Sequence, residues 1–217
     1  MDASDPDLKL PNVVHNFMSA ESARRAGEPD WLQLTLLLHD LGKVMFLFGT
    51  PEDGQSGRAD GPQWALGGDT WVLGEPVPDS AVFPELNALN PEHNASLAAP
   101  RNAPGVGLDA LRFTFGHDEY AFRFLAHPAN GCRLPKQALQ MVRLHSCYPL
   151  HSSGEYQHLL RAGDEDALEW VRRFNQYDLY SKTDDVPKLR DLDRMWPYYA
   201  ALMDKYFERG AEGWLSF

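Results

Sequence analysis

The sequence predicts an all-α fold, a helical bundle closed around a buried dinuclear metal site. Three observations carry this. Apolar residues recur at helical spacing through most of the 217-residue chain. One stretch, Trp31 to about Val44, is apolar almost all round (Leu32, Leu34, Leu36, Leu37, Leu38, Leu41), the pattern of a central helix with no solvent face. Six metal-ligand residues, His15, His39, Asp40, His117, His145 and Asp178, lie within or beside the helical segments.

The elements follow in order. Pro6 and Pro11 hold the first ten residues extended. Asn12 is placed to cap a helix running to about Ala26, and Asp30 to cap the central one after the Gly27–Asp30 loop. The Gly-, Asp- and Pro-rich stretch Thr50 to Pro62 reads as a mobile surface loop. Trp64 to Val72 reads as a short hairpin or turn region, and the proline-rich stretch Gly74 to Gly107 as a long irregular excursion with a functional role. Further helices are expected over Leu108 to about Ala126 with a break near Gly116, and over Pro135 to about Cys147. Others are expected over Glu155 to Leu160, Asp164 to about Lys182, and Tyr198 to about Arg209. No linker divides the chain, so residues 1–217 are expected to form a single domain.

Composition narrows the function. A net charge of −11 opposes nucleic acid and an anionic membrane surface as partners. Two cysteines, Cys132 and Cys147, are too few for a disulfide framework and suit a reducing compartment. The acidic first residues lack the apolar core of a signal peptide, and no apolar run approaches the roughly 20 residues of a membrane span. The expectation is a cytoplasmic monomer acting on a small molecule.

The six ligand residues offer imidazole and carboxylate with no sulfur, a donor set for iron, manganese or zinc; with open positions it suits oxygen-activating iron. On a helix, adjacent His39 and Asp40 point about 100° apart, so they cannot easily share one ion side by side. The imidazole can serve one metal while the carboxylate bridges to a second. Lys43 lies four residues after His39 and Lys182 four after Asp178, a spacing that puts each ammonium on the face of a ligand. Gly68, Asp69 and Ser146 can meet hydroxyl groups. Asp118 and Glu119 read as solvated or supporting residues, and His93, His127, His151 and His158 as surface ones.

With these residues in place, the chain resembles the myo-inositol oxygenase family, helical non-haem di-iron enzymes related to the HD-domain superfamily. The resemblance is carried by Ser4-Asp5-Pro6-Asp7, Pro11-Asn12 with His15, and Leu37-Leu38-His39-Asp40-Leu41-Gly42-Lys43. It continues through Gln63-Trp64-Ala65, Gly68-Asp69-Thr70, Gly116-His117-Asp118-Glu119-Tyr120, His145-Ser146, Asp178-Leu179-Tyr180 with Lys182, and Pro197-Tyr198-Tyr199. It implies an HD-like bundle with two irons in a mixed-valent centre. One would be held by His15, His39, Asp40 and Asp178, the other by Asp40, His117 and His145, with Asp40 as bridge. Ser4, Lys43, Gly68, Asp69, His145, Ser146 and Lys182 are the implied substrate contacts, with Lys43 and Asp40 at the chemistry. The implied reaction opens the ring of myo-inositol, or a close cyclitol, between adjacent carbinol carbons with O2 and yields D-glucuronate. The substrate supplies four electrons, so no nicotinamide or flavin is consumed. The chain starts just before the Ser4 segment, which implies that the arginine and lid of longer members are missing. The alternative activity on such a scaffold is a metal-dependent phosphohydrolase with Lys43, Arg143 and Lys182 as phosphate partners. A non-catalytic, metal-stabilised binding protein is the third.

Overall fold

Helices account for nearly all the regular structure among the described residues, which are 11–47, 64–179 and 189–208 of the computed structural model. Helix α1 is Asn12–Arg25 and α2 is Asp30–Leu38. Each follows a proline, Pro11 and Pro29, so Asn12 and Asp30 occupy the first helical turn and not the cap positions the sequence suggested. Gly27 ends α1 with φ +75, where only a residue without a Cβ sits at little cost. Its N–H returns to Arg24 O, and that of Glu28 to Ala23 O. In α2 every residue from Leu32 to Leu38 is buried, Gln33 and Thr35 included, as a central helix requires.

The central α-helix stops at Leu38, and His39–Leu47 continues as a 3-10 helix. The expectation of one α-helix to Val44 is corrected here. A short apolar run does not separate 3.6 from 3.0 residues per turn, but the change rotates every side chain after it. At Gly42 the backbone meets α5 (His117–Ala126): a Cβ there would lie 1.8 Å from the carbonyl oxygen of His117. The two segments that carry His39, Asp40 and His117 are thereby in backbone contact.

After α3 (Trp64–Gly67), Val72 forms an isolated antiparallel bridge with Phe113. Leu73 N–H donates to Arg112 O and Thr114 N–H to Trp71 O. Trp64 to Val72 is therefore not a hairpin on itself. The segment before α5 is extended apart from the 3-10 turn Leu108–Ala110, so the helix expected from Leu108 begins only at His117. The excursion holds a 3-10 helix, Pro84–Leu89, and α4, Pro91–Ala98. Asn90 starts α4 by accepting the Glu92 N–H at 2.9 Å, with Pro91 at the first helical position.

Helix α6 is Lys136–Leu144, α7 is Tyr148–His151, and α8 is Asp164–Leu179, with a 3-10 turn at Gln157–Leu159 between the last two. The last helix, α9, spans Leu189–Tyr206 and starts well before Tyr198, with Pro197 inside it. Pro197 lacks an N–H and so resembles a helix start in the sequence. Helices α1, α2, α6, α8 and α9 pack around a core that includes Leu32, Leu36, Met141, Leu168, Phe174 and Tyr199. The loop expected at Thr50 to Pro62 and the ends at Lys182 and Arg209 lie outside the described residues. No helix among the described residues is long and apolar enough to cross a membrane. Cys132 and Cys147 are free thiols; burial pushes the Cys147 thiol up to about 12.

Candidate metal centre

The structure brings all six predicted ligand residues into one buried cluster. His15 comes from α1, His39 and Asp40 from the 3-10 helix, His117 from the first residue of α5, His145 from the end of α6, and Asp178 from the last turn of α8. Each is 8 % exposed or less. Asp40 lies in the middle. Its Oδ1 is 3.4 Å from His117 Nε2 and 3.8 Å from His145 Nε2. Its Oδ2 is 2.8 Å from Lys43 Nζ, 3.5 Å from His39 Nε2 and 3.9 Å from His15 Nε2. Asp178 Oδ1 joins this second side, 2.9 Å from His15 Nε2 and 3.2 Å from His39 Nε2. Two groupings that could hold an ion are His15 with His39 and Asp178, and His39 with Asp40 and His145, each set with ligand atoms within 4.8 Å of one another. The second grouping crosses from one side of Asp40 to the other, which reflects its central place.

The orientation of the rings fits bound cations. His39, His117 and His145 each set Nδ1 against a backbone carbonyl, of Leu36, Leu66 and Val142, at 2.7, 2.7 and 2.8 Å. A carbonyl only accepts, so each Nδ1 carries a proton and each Nε2 is the nitrogen left facing inward, where a metal could take it. His117 Nε2 and His145 Nε2 face each other at 3.0 Å. Asp40 Oδ1 is buried and accepts no hydrogen bond from any described residue. An orphaned buried carboxylate oxygen flanked by two imidazole nitrogens is a donor set that a bound cation would satisfy. Burial alone would push the Asp40 carboxyl up, but His39 and Lys43, with His117 and His145, hold it well below the usual range. Asp178 is likewise held well below that range against its burial by His39 and His15. His15 goes the other way: Asp178 and Asp40 outweigh burial and raise it.

Around this cluster lie residues the sequence reading misplaced. His151 is buried, not on the surface. Its Nε2 donates to the backbone carbonyl of His145 at 3.0 Å, its Nδ1 meets Ser152 Oγ at 2.9 Å, and burial lowers its pKa to about 4. Asn175 Nδ2 donates to the same carbonyl at 3.2 Å, so α8 steadies the ligand backbone at the end of α6. Polar neighbours (Ser152, Ser153, Gly154) hid this; the apolar run through Leu150 was the available signal. Asp118 and Glu119 are buried, which settles the solvated-or-supporting choice on the supporting side. Glu119 holds Arg123 Nε at 2.8 Å and Arg143 Nε at 2.6 Å. Arg143 also donates to Leu111 O and lies over the rings of Phe113 and Phe122, so it is engaged in packing away from the ligands. His127 and His158 are exposed as expected, while His93 is half-buried and accepts the Val77 N–H.

The predicted substrate side is partly assembled here. Lys43 reaches Asp40, not His39. In a 3-10 helix residues three apart share a face, and the i, i+4 argument assumed α geometry. Gly68 is buried just after α3, and Asp69 Oδ2 accepts the Val82 N–H at 3.0 Å. Ser146 Oγ is 3.3 Å from His117 Nε2, and Ser146 O accepts the Thr70 N–H at 3.0 Å. The Gly68–Thr70 turn and the His145–Ser146 corner are therefore neighbours. Ser4 and Lys182 lie outside the described residues.

Comparison with known proteins gives the family. The family model for myo-inositol oxygenase matches residues 1–213. An inositol oxygenase of Homo sapiens is 41 % identical over 214 residues, covering 95 % of this chain and 68 % of the relative. One of Danio rerio is 40 % identical over 213 residues, covering 95 % and 70 %. Inositol oxygenase 2 of Arabidopsis thaliana is 40 % identical over 211 residues, covering 95 % and 62 %. A family match over nearly the whole chain, with relatives about 40 % identical over 95 % of it, places this protein in the myo-inositol oxygenase family.

Proposed function

We propose that this chain, as a single-domain cytoplasmic monomer over residues 1–217, opens the ring of myo-inositol or a close cyclitol with O2 to give D-glucuronate. The observation that carries the reading is Asp40, a buried carboxylate whose two oxygens face two different sets of ligand atoms. His15, His39, Asp178 and Asp40 Oδ2 would hold one iron, and His117, His145 and Asp40 Oδ1 the other. A mixed-valent di-iron pair bound there supplies Lewis acidity toward vicinal hydroxyls and reactivity toward O2.

The chain's own residues do the rest. Lys43 Nζ sets a positive charge beside Asp40, where it favours a substrate oxygen that has lost its proton. Asp69 and the backbone at Gly68 offer an acceptor and a donor for ring hydroxyls, and Ser146 Oγ offers a further partner beside them. Ser4 and Lys182 complete the proposed substrate contacts. Burial of all six ligands keeps water away from the reacting centre. The phosphohydrolase alternative gains nothing: Arg143 is engaged by Glu119, and Lys43 by Asp40.

The test is anaerobic loading of the iron-free chain with ferrous iron, followed by oxygen uptake over a panel of cyclitols. Two irons per chain and one D-glucuronate per O2 with myo-inositol are expected. A plateau at one iron with no oxygen uptake, or phosphate release from a phosphomonoester in its place, overturns the proposal.

A further inference from the structure

Asp118 follows a metal ligand directly, is fully buried, and lies outside both ligand sets. A buried carboxylate is costly unless hydrogen-bonded. Both of its oxygens have partners. Oδ1 accepts the Glu119 N–H at 2.8 Å, at the start of α5, where amides and helix dipole favour an anion. Oδ2 accepts the hydroxyl of Thr70 at 3.0 Å. Thr70 is buried as well, and its own N–H donates to Ser146 O. Its Cγ2 packs against Gly116, where a Cβ would lie 3.4 Å from it and 3.2 Å from Asp118 Oδ1. The next residue adds a fourth tie, Trp71 N–H to Thr114 Oγ1 at 3.3 Å.

We propose that Thr70 and Asp118 form a positioning clamp for the substrate. The hydroxyl–carboxylate bond locks the Gly68–Asp69 turn onto the start of α5, and the Thr70 amide locks the same turn onto Ser146. Hydroxyl-binding groups and the His117–His145 side of the metal centre then move as one body. Neither residue touches metal or substrate; both act through Asp69 and Gly68. The inference rests on reading Gly68 and Asp69 as contacts for a polyol. Its energetic content is preorganisation: a turn held before binding does not lose its freedom when the polyol arrives.

Thr70→Val removes the hydroxyl at nearly constant shape, and Thr70→Ser keeps it. Three quantities separate a clamp from a general structural role: iron per chain, the Kd of myo-inositol for the anaerobic iron-loaded protein, and amide hydrogen exchange over residues 66–73. Thr70→Val is expected to keep wild-type iron content, to exchange faster over 66–73, and to bind myo-inositol about tenfold more weakly with a matching rise in KM, about 1.4 kcal/mol. Thr70→Ser is expected to restore all three. Wild-type exchange and affinity in Thr70→Val overturn the clamp, and so does loss of iron in step with loss of substrate. Should Thr70→Val fail to fold, Asp118→Asn decides by the same readouts. Failure of the wild-type chain to bind myo-inositol overturns the functional reading instead, and the exchange rates still decide the clamp.

Discussion

The metal corner and the proline-rich excursion are both rich in apolar residues, yet they are built on opposite terms. Around the metal corner each ligand is buried, and three of the four imidazoles are fixed by a backbone carbonyl at their far nitrogen. In the excursion Val82, Phe83, Leu86, Leu89 and Leu97 are exposed, Leu89 to 78 %. Val77 and Ala81 are buried at its edges, and its polar ties to the body include Asn102 Nδ2 to Leu73 O, Tyr156 OH to Pro76 O, and Val82 N–H to Asp69. The contrast separates two tasks. Metal ligands need rigid placement, which helices buried on several sides provide. The exposed middle of the excursion, which reaches Asp69 through a backbone amide, is held without such burial.

The largest way to break this contrast is at its centre. Asp40→Ala removes the one group that both ligand sets face. Metal affinity should fall by more than the roughly 10- to 100-fold that loss of an outer hydrogen-bond partner costs, and turnover should fall to background. Equilibrium iron titration checks it; two tightly bound irons in Asp40→Ala would show that the carboxylate is not a bridge. Gly42→Ala comes next. The new methyl meets backbone, not a movable side chain, so the 3-10 helix and α5 must separate. The expected cost is the upper part of the roughly 1–3 kcal/mol range for overpacking, or a Tm lower by about 6–12 °C for a chain of this size. A Tm within 2 °C of wild type would show that the two segments are not in contact.

His151 gives a smaller, pH-dependent effect. Its folded pKa is lowered from 6.5 to about 4 by burial, so the unfolded chain takes up the proton first. Stability is therefore full above pH 6.5 and falls as pH drops toward 4, by roughly 3 kcal/mol at most. His151→Gln keeps an amide donor for the His145 carbonyl and removes the titration. In iron-free protein the Tm gap between wild type and variant should move toward the variant between pH 7 and 4. A gap that stays constant with pH would place His151 in solvent.

These regions also differ in how much of each was legible. The central helix, the surrounding helices and the six ligand types follow from hydrophobic period and residue chemistry, because a buried helix writes its burial into its sequence. Local geometry did not follow. The switch to a 3-10 helix at His39 leaves no mark on the apolar pattern, so Lys43 was placed on the face of His39 and not of Asp40. The sequence leaves Asp118 open between a solvated and a supporting place and puts His151 on the surface, because their burial comes from other helices, which a single segment does not reveal. The pairing of Val72 with Phe113 spans the whole excursion and is equally invisible locally.

The smallest expected effects lie in the excursion and sharpen the contrast most. Leu89→Ser changes a side chain already in solvent, and its stability should stay within about 0.5 kcal/mol of wild type. Phe83 adopts a left-handed backbone, φ 59, which costs an ordinary residue about 1 kcal/mol. Phe83→Gly removes that cost but adds about 0.5–1 kcal/mol of chain entropy in the unfolded state, so the two nearly cancel. Function need not follow stability here. Phe83 adjoins Val82, whose N–H is held by Asp69, and a glycine at 83 lets that amide leave the carboxylate more often. The expected signature is an unchanged Tm with a raised KM for the polyol and an unchanged iron content. A Tm drop as large as that of Gly42→Ala would make the excursion a structural part of the bundle. An unchanged KM would show that the Val82 amide does not help to hold Asp69 for substrate.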